Sequence, residues 1–530
     1  MSDFLEMQGD DPVPLGLAKM EARNVDNVQS LIGVIGQYAG ERVATTSYWP
    51  GWESRDVGPV GGGVYVWMPS KPKAYHNAGK YFSPTVPWDG SESTFSDYIS
   101  GYGETDPSGV GCWVLLDKPG VFDVLQWGAR NDATANGAND AVIQPLLDYV
   151  ESAISGGFGG VVEFPRGNYR FTVYFSVRDR TVLRGEGTSA TIIQFYGTGT
   201  GNCITLGPTG PRHPIHPSGH WVFGTRIENL AISGANIYRG LERAMVYTDG
   251  AHEHSGLFNV VVRDFVSWGV NYNTGNGGPA SFSFSDVEMY GSDTSPSAGT
   301  KRGLVCQAGG SLIVVDRSTI TGGATYRLDQ AILMLKDNLI ANGVHVEQSA
   351  VGVSLSQTDS QSPKVNVISG VTGNSTVAEI FVISSAFEGS VSASGLVNTS
   401  LSVTGLGVIR NNRTGERYVD RAVSSYNYGF SVEPGAAISH GRISVTSGVA
   451  SVVKSTGRGF ATTRTAVGVV RVVLSSPMPD ANYVVNSTAR STTGMVVEFS
   501  PISTTVFEIR TYSTSGVASD PTSIWFALYA

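Results

Sequence analysis

The sequence predicts an all-β chain built on a parallel β-helix, with a small N-terminal module before it and a C-terminal β-sandwich after it. Two observations carry the prediction. Five segments between Gly224 and Arg410 repeat one pattern, and the composition is that of a turn-rich β protein. The segments are Arg226-Ile-Glu-Asn-Leu-Ala-Ile-Ser-Gly234, Val261-Val-Arg-Asp-Phe-Val-Ser-Trp-Gly269, Ser283-Phe-Ser-Asp-Val-Glu-Met-Tyr-Gly291, Val314-Val-Asp-Arg-Ser-Thr-Ile-Thr-Gly322 and Leu339-Ile-Ala-Asn-Gly-Val-His-Val-Glu347. Each alternates apolar with polar at period 2, as a half-buried strand does. Four end at a Gly, where a corner needs φ > 0 or has no room for a Cβ. A spacing of roughly 20–35 residues fits one coil of a solenoid, and no coil buries its apolar face alone.

The chain of 530 residues is 41% hydrophobic but only 15% charged, and it holds 66 Gly; this is enough length for several domains and favours strands and corners over helices. A net charge of -9 argues against nucleic acid as a partner. Cys112, Cys203 and Cys306 are widely spaced and odd in number, so they read as buried free thiols rather than a metal site or disulfide framework. The opening Met-Ser-Asp-Phe-Leu-Glu has neither the basic nor the apolar region of a signal peptide. No apolar run reaches the roughly 18 residues of a membrane span, so no membrane insertion is expected.

In chain order, residues 1–25 are a polar lead-in and residues 26–118 a small β module. Val28, Leu31, Val34 and Ile35 have weak helical spacing; strands follow at Arg42–Tyr48, after Gly61-Gly-Gly63, and at Gly109–Leu116. Trp49, Trp52, Trp67 and Trp113 are sugar platforms or, more commonly for such residues, core. Residues 119–415 are assigned to the β-helix. A capping helix is expected near 145–155, with Pro145 at its start and Leu146, Leu147, Val150 and Ile154 on one face. His213, His216 and His220 read as a solvated loop. Glu242, Asp249, His252, Glu253 and His254 share a loop in which both imidazoles of His252 and His254 would lie on one side, without a visible third ligand for a metal. The strands after about residue 350 carry few outward acids and read as scaffold. Residues 425–530 turn into short strands divided by Ser, Thr and Gly, a sandwich in which Tyr483, Phe499 and Trp525 are expected in the core.

One run carries a resemblance. Trp127-Gly128-Ala129, a Gly/Asp/Asn loop, the segment from Gly159 to Tyr169, and Leu183, Gly185, Gly187, Thr191 and Ile193 follow one another in order over about 75 residues. This series resembles the opening of the pectate-lyase-like, right-handed parallel β-helix proteins of bacteriophage tailspikes and capsule depolymerases. Residues 42–118 are similar to the module that often precedes the helix there, and Pro-Met-Pro-Asp-Ala-Asn-Tyr483 resembles terminal modules that trimerise or bind glycans. The resemblance implies a homotrimer on the virion tail, attached to the phage tail or baseplate through its N-terminus. It also implies a bacterial surface polysaccharide (capsule, exopolysaccharide or O-antigen) as partner. It is specific for architecture, not substrate.

Aligning the five segments by their apolar positions sets out the outward columns. One holds Asn229, Asp264, Asp286, Arg317 and Gly343; the next Ala231, Val266, Glu288, Thr319 and His345; the third Ser233, Trp268, Tyr290, Thr321 and Glu347. The candidate catalytic acids are therefore Asp286, Glu288, Glu347 and Asp264, with Arg317, His345, Tyr290 and Trp268 as substrate-binding residues and neither metal nor cofactor expected. Glycoside hydrolysis needs two carboxyl groups about 5 Å or about 6.5–9.5 Å apart, one protonated and one ionised. The same acids, read blandly, pair with Arg263, Arg317 or Lys301. Elimination by Arg317, His345 and Tyr290 is an alternative to the favoured hydrolysis, as are a site between subunits, a non-catalytic receptor-binding fibre and an exported bacterial enzyme. A slip of one residue in any strand would invert its assignments.

Overall fold

The computed structural model describes residues 23–134, 137–153, 159–196, 202–207, 221–234, 244–273, 281–295, 300–307, 312–357, 364–374, 377–399, 407–418, 422–428, 437–457, 459–475, 484–491 and 495–529. The chain divides into two compact units, Met1–Gly352 with Asn374–Val377, and Val353–Gly373 with Ala378–Ala530. Among the described residues no helix is long and apolar enough to cross a membrane. The His213, His216 and His220 loop and Glu242 lie outside the described residues, as do Ile154 and Tyr483.

The first unit opens with a five-stranded sheet in the order Arg23–Asn27, Arg42–Ser47, Val64–Pro72, Val110–Leu115, Tyr81–Phe82. Helical spacing near residue 30 yields only a 3₁₀ turn, Val28–Leu31, and Ile35 is exposed. Trp49, Trp67 and Trp113 are buried, so the platform reading fails for them. The Trp49 indole donates to Gly128 O (2.9 Å) and that of Trp113 to Val34 O (2.9 Å), satisfying the one polar atom each ring buries. Cys112, Cys203 and Cys306 are buried free thiols, as their spacing implies.

The capping helix runs Gly137–Ala153, longer than expected, and Pro145 is in its interior rather than at its start. Its first turn is fixed by side chains that the apolar pattern does not show. Glu92 accepts from the amide of Ala138, and buried Asn139 bonds the backbone of Arg130 and Arg170. These contacts offset the hydrogen bond that Pro145 removes. Leu146, Leu147 and Val150 are fully buried, as their spacing predicts.

From Val121 the first unit winds into a solenoid with three parallel faces. The first two faces come from long strands bent in the middle, Arg226–Ser233, Ser255–Phe265 and Ser281–Gly291, or from separate pairs such as Leu312–Asp316 with Thr319–Thr321 and Asn338–Asn342 with His345–Glu347. The third face is formed by Phe175–Val177, Ile204–Leu206, Ala244–Thr248, Trp268–Tyr272, Arg302–Cys306 and Leu328–Met334.

The bend between the first two faces is a column of left-handed residues: Asn229, Asn259, Asp286, Arg317 and Gly343, with φ of 57°, 51°, 54°, 45° and 61°. Asn and Asp tolerate this region because short polar side chains bond locally; Arg tolerates it at a cost. Asn259 Nδ2 donates to Asn229 Oδ1 at 2.9 Å, starting a ladder along the corner. At the corner after the second face, Gly234 and Gly322 lack positive φ but lack room: a Cβ would meet Asp264 O at 2.7 Å and Gln348 O at 2.2 Å. Asp264 and Gln348 take positive φ there instead, at 64° and 46°.

The second unit contains further parallel coils and the sandwich. Lys364–Ser369 pairs with Gly389–Asn398, and Glu379–Ile383 with Gly407–Asn411. Ala422–Tyr428 and Arg417–Tyr418 then add antiparallel, ending the coil pattern. Buried Glu379 is paired with Arg410 (2.8 Å) and Arg417 (3.6 Å), a structural use of an acid in the coils read as scaffold. The sandwich packs the sheet 449–457, 437–446, 523–529, 484–490 on the sheet 460–466, 469–474, 506–513, 495–501. Ile443, Val472, Phe507, Ile509, Ile524 and Leu528 fill its core, each worth ~1.5–3 kcal/mol of burial. Phe499 packs against this core as expected, but Trp525 does not: it points outward and is 47% exposed.

Candidate active site

The register of the second face decides what meets what. Leu230, Val260 and Val287 form one inward row, and Ile232, Val262, Met289, Ile320 and Val346 the next; all are fully buried. The outward columns between and beside them are Ala231, Val261, Glu288, Thr319, His345 and Ser233, Arg263, Tyr290, Thr321, Glu347. Four of the five coils keep the expected alignment. The second slips by five residues: Val260 and Val262, not Phe265 and Ser267, line the core, and Arg263, not Trp268, stands beside Tyr290.

The slip removes two candidates from the site. Asp264 is the corner residue after the second face, where its carboxylate accepts from Ser233 Oγ at 2.6 Å; its φ of 64° marks it as a turn-former. Trp268 begins a strand of the third face, between Ala244 and Arg302, away from the Glu288 column. The reason is local: Asp satisfies a tight corner as Gly does, so Gly269 was not the end of that coil's second face.

Asp286 and Arg317 are adjacent on the first corner and hold each other. Arg317 Nε lies 2.9 Å from Asp286 Oδ1 and Nη2 lies 2.8 Å from Oδ2, a two-pronged pair. The guanidinium also contacts Asp316 and donates to Ser285 Oγ at 3.0 Å. The Arg317 hydrogen bonds hold the Asp286 carboxyl below its ordinary range. An acid held ionised in this way is unsuited to donate a proton, and a guanidinium committed to two aspartates is unsuited to seize a sugar acid.

Glu288, Tyr290, His345 and Glu347 do come together on the outer surface of the second face. Tyr290 OH donates to Glu288 Oε2 at 2.9 Å. Its phenol is pushed up to about 12, first by burial, then by the hydrogen bond to Glu288 and the charges of Glu288 and Glu347. His345 Nε2 lies 3.1 Å from Glu347 Oε1, which also accepts from Asn374 Nδ2 at 3.2 Å. Two neighbouring groups complete the column: Thr321, in its expected place with Oγ1 buried without a hydrogen-bond partner, and Arg263, which pairs with Asp264 (Nε to Oδ2, 3.9 Å) as the bland reading of that acid has it, its Nε otherwise without a hydrogen-bond partner. The signal for Arg263 was present in the sequence, since Asn259 repeats the left-handed Asn229 and fixes the coil's start.

Other polar groups are structural. Lys301 is buried, its ammonium bound to the carbonyls of Ser292 and, at 3.0 Å, Thr294; burial lowers it to about 8, and it pairs with none of the candidate acids. His252 is fully buried with Nε2 3.2 Å from Leu206 O, whereas His254 is exposed at a left-handed corner (φ 54°), so the two imidazoles do not share a side.

Residues 24–117 match the family described as the phage tail protein small four-stranded beta-sheet domain. No curated protein matches the chain in sequence. Among solved structures, the chain is similar to the tailspike of Acinetobacter baumannii bacteriophage Fri1, described as a capsular polysaccharide depolymerase: 12% identity over 96% of this chain and 98% of that one, TM-score 0.37. It is similar to the enzymatically active domain of bacteriophage CBA120 tailspike protein 2, with 11% identity over 98% of this chain and 81% of that one, TM-score 0.46. A third similarity is to a glycan biofilm modifying enzyme of Pantoea stewartii with a tailspike-like parallel beta-helix fold, with 12% identity over 95% of this chain and 69% of that one, TM-score 0.31.

Proposed function

We propose that the chain is a tailspike of a phage virion that binds a bacterial surface polysaccharide and cleaves it by glycoside hydrolysis. The observation that carries the reading is the column Arg263, Tyr290, Thr321, Glu347 beside Glu288 and His345. It presents two carboxylates, a phenol and an imidazole on one open face, with Thr321 Oγ1 buried without a hydrogen-bond partner and Arg263 Nε held only by a long ion pair to Asp264 (3.9 Å). Buried polar atoms are normally satisfied, so a ligand rich in hydroxyls is a fitting complement. The phage tail domain at residues 24–117 supports attachment to the tail through the N-terminus. Assembly as a homotrimer belongs to the same reading, with light scattering as its measure.

In this reading Glu288, oriented by the Tyr290 hydroxyl, activates water, and Glu347, backed by His345, protonates the leaving oxygen. The two glutamates are two rungs and one outward position apart. With rungs about 4.8 Å apart and alternate residues about 6.5 Å apart, their Cα atoms are about 11–12 Å apart. Side chains reaching towards each other then span the roughly 6.5–9.5 Å that leaves room for a water, which is the inverting arrangement. Arg263 replaces Arg317 as the cation beside the sugar.

The test is product analysis after incubation with a panel of purified capsules, exopolysaccharides and O-antigens. Hydrolysis gives shortened oligosaccharides whose mass includes the added water, with anomeric inversion by NMR. Oligosaccharides ending in an unsaturated uronate would replace hydrolysis by elimination. Cell binding with no change in polymer size would leave a receptor-binding fibre.

A further inference from the structure

We propose that the outer face of the C-terminal sandwich sheet holds a second, non-catalytic binding site for an acidic saccharide, centred on Trp525 and Arg442. This rests on the polysaccharide reading above for the kind of ligand, but on different residues. Trp525 alternates with Ile524 and Phe526, which enter the core, and so stands on the outer face, 47% exposed. Across one neighbouring strand it is paired with Arg442, whose guanidinium carbon lies 4.9 Å from the indole centroid. Across the other it is paired with Thr488, and Arg490 follows on the same face.

The arginines separate this face from the rest of the sandwich. Arg464 is paired with Asp520 (2.8 Å), and Arg471 (2.8 Å) and Arg510 (3.3 Å) with Glu508. Arg442 and Arg490 have no carboxylate among the described residues, and Arg442 Nε is buried without a hydrogen-bond partner. A guanidinium held against an indole with its N–H groups uncommitted is preorganised for a carboxylate. The indole beside it offers an apolar surface for the C–H face of a pyranose. Charge and shape together select a sugar acid over a neutral sugar.

Affinity electrophoresis of the full-length chain through gels carrying polygalacturonate, alginate or hyaluronate, with dextran as the neutral control, tests this. Retardation is expected in at least one acidic gel and not in dextran. Arg442→Gln and Trp525→Ala should each weaken it at least about fivefold, with thermal melting and light-scattering mass unchanged. Glu288→Gln should be retarded like the parent, so loss of cleavage and loss of this site read out separately. Equal retardation in dextran, no retardation in any acidic gel, full retention by both variants, or a smaller assembly for either variant would each overturn the proposal, the last by making this face a subunit contact.

Discussion

Arg317 stands one rung from Asp286 on the solenoid's left-handed corner and closes on both oxygens of its carboxylate, at 2.9 and 2.8 Å. That pair joins the most conspicuous acid and the most conspicuous cation of the sequence to each other, and the proposed reading leaves both outside the chemistry. What is left is a smaller set around Glu288 and Glu347, and it makes distinct predictions.

Asp286→Asn should keep kcat within about threefold, and Arg317→Ala likewise. Glu288→Gln and Glu347→Gln should each lose about a thousandfold, the scale of a positioned acid or base. Polymer chain length against time, measured on the four variants, decides it. A large loss in Asp286→Asn with full activity in Glu288→Gln would transfer the site to the corner.

Tyr290→Phe removes the hydroxyl that donates to Glu288 at 2.9 Å and keeps the ring. A hydrogen bond to a charged group is worth ~1.5–3 kcal/mol, so kcat should fall by about tenfold to a hundredfold while KM stays within about threefold. A rise in KM at constant kcat would make Tyr290 a sugar contact instead of a positioning residue.

Asn259, at φ 51°, bears on stability. Asn259→Ala should cost about 1–2 kcal/mol, from left-handed strain, together with the lost hydrogen bond to Asn229. Asn259→Gly should recover most of the strain and none of the ladder. Denaturant unfolding of the three proteins separates the two terms.

His252 gives a pH dependence. Burial lowers it to about 4, against an ordinary 6.5. Below pH 6.5 the unfolded chain takes up a proton that the folded chain refuses, so stability is full above about 6.5 and drains as pH falls towards 4. The whole effect is about 3 kcal/mol in order of magnitude. Asp123, raised by burial to about 6, works in the opposite sense over a similar range, so the parent alone does not isolate the histidine. His252→Phe keeps a ring against Phe282 and Tyr272 and should flatten the acid slope relative to the parent. Identical slopes would place the acid sensitivity elsewhere.

Much of this was legible in the chain. Leu230, Val287, Ile320 and Val346 are core and Glu288, Tyr290 and Glu347 outward because period 2 is a property of strand geometry that any such segment displays. The second coil departs from its reading because its second face ends at Asp264, which meets the same corner requirement as a Gly, and not at Gly269. The strand Ser523–Tyr529 misled for another reason. Ile524, Trp525, Phe526, Ala527 and Leu528 are all apolar, so no alternation showed that Trp525 belongs outside.

The sequence by itself determined the solenoid and, in four of the five coils, the inward or outward sense of each residue, because alternation and corner chemistry are local. The tertiary structure decided which residues of different coils share a rung. That depends on loop lengths between strands, which carry no periodic signal. It therefore decided that Arg317 neutralises Asp286, that Arg263 replaces Trp268 beside Tyr290, and that two glutamates some 60 residues apart in the chain face the same solvent, roughly two rungs from each other.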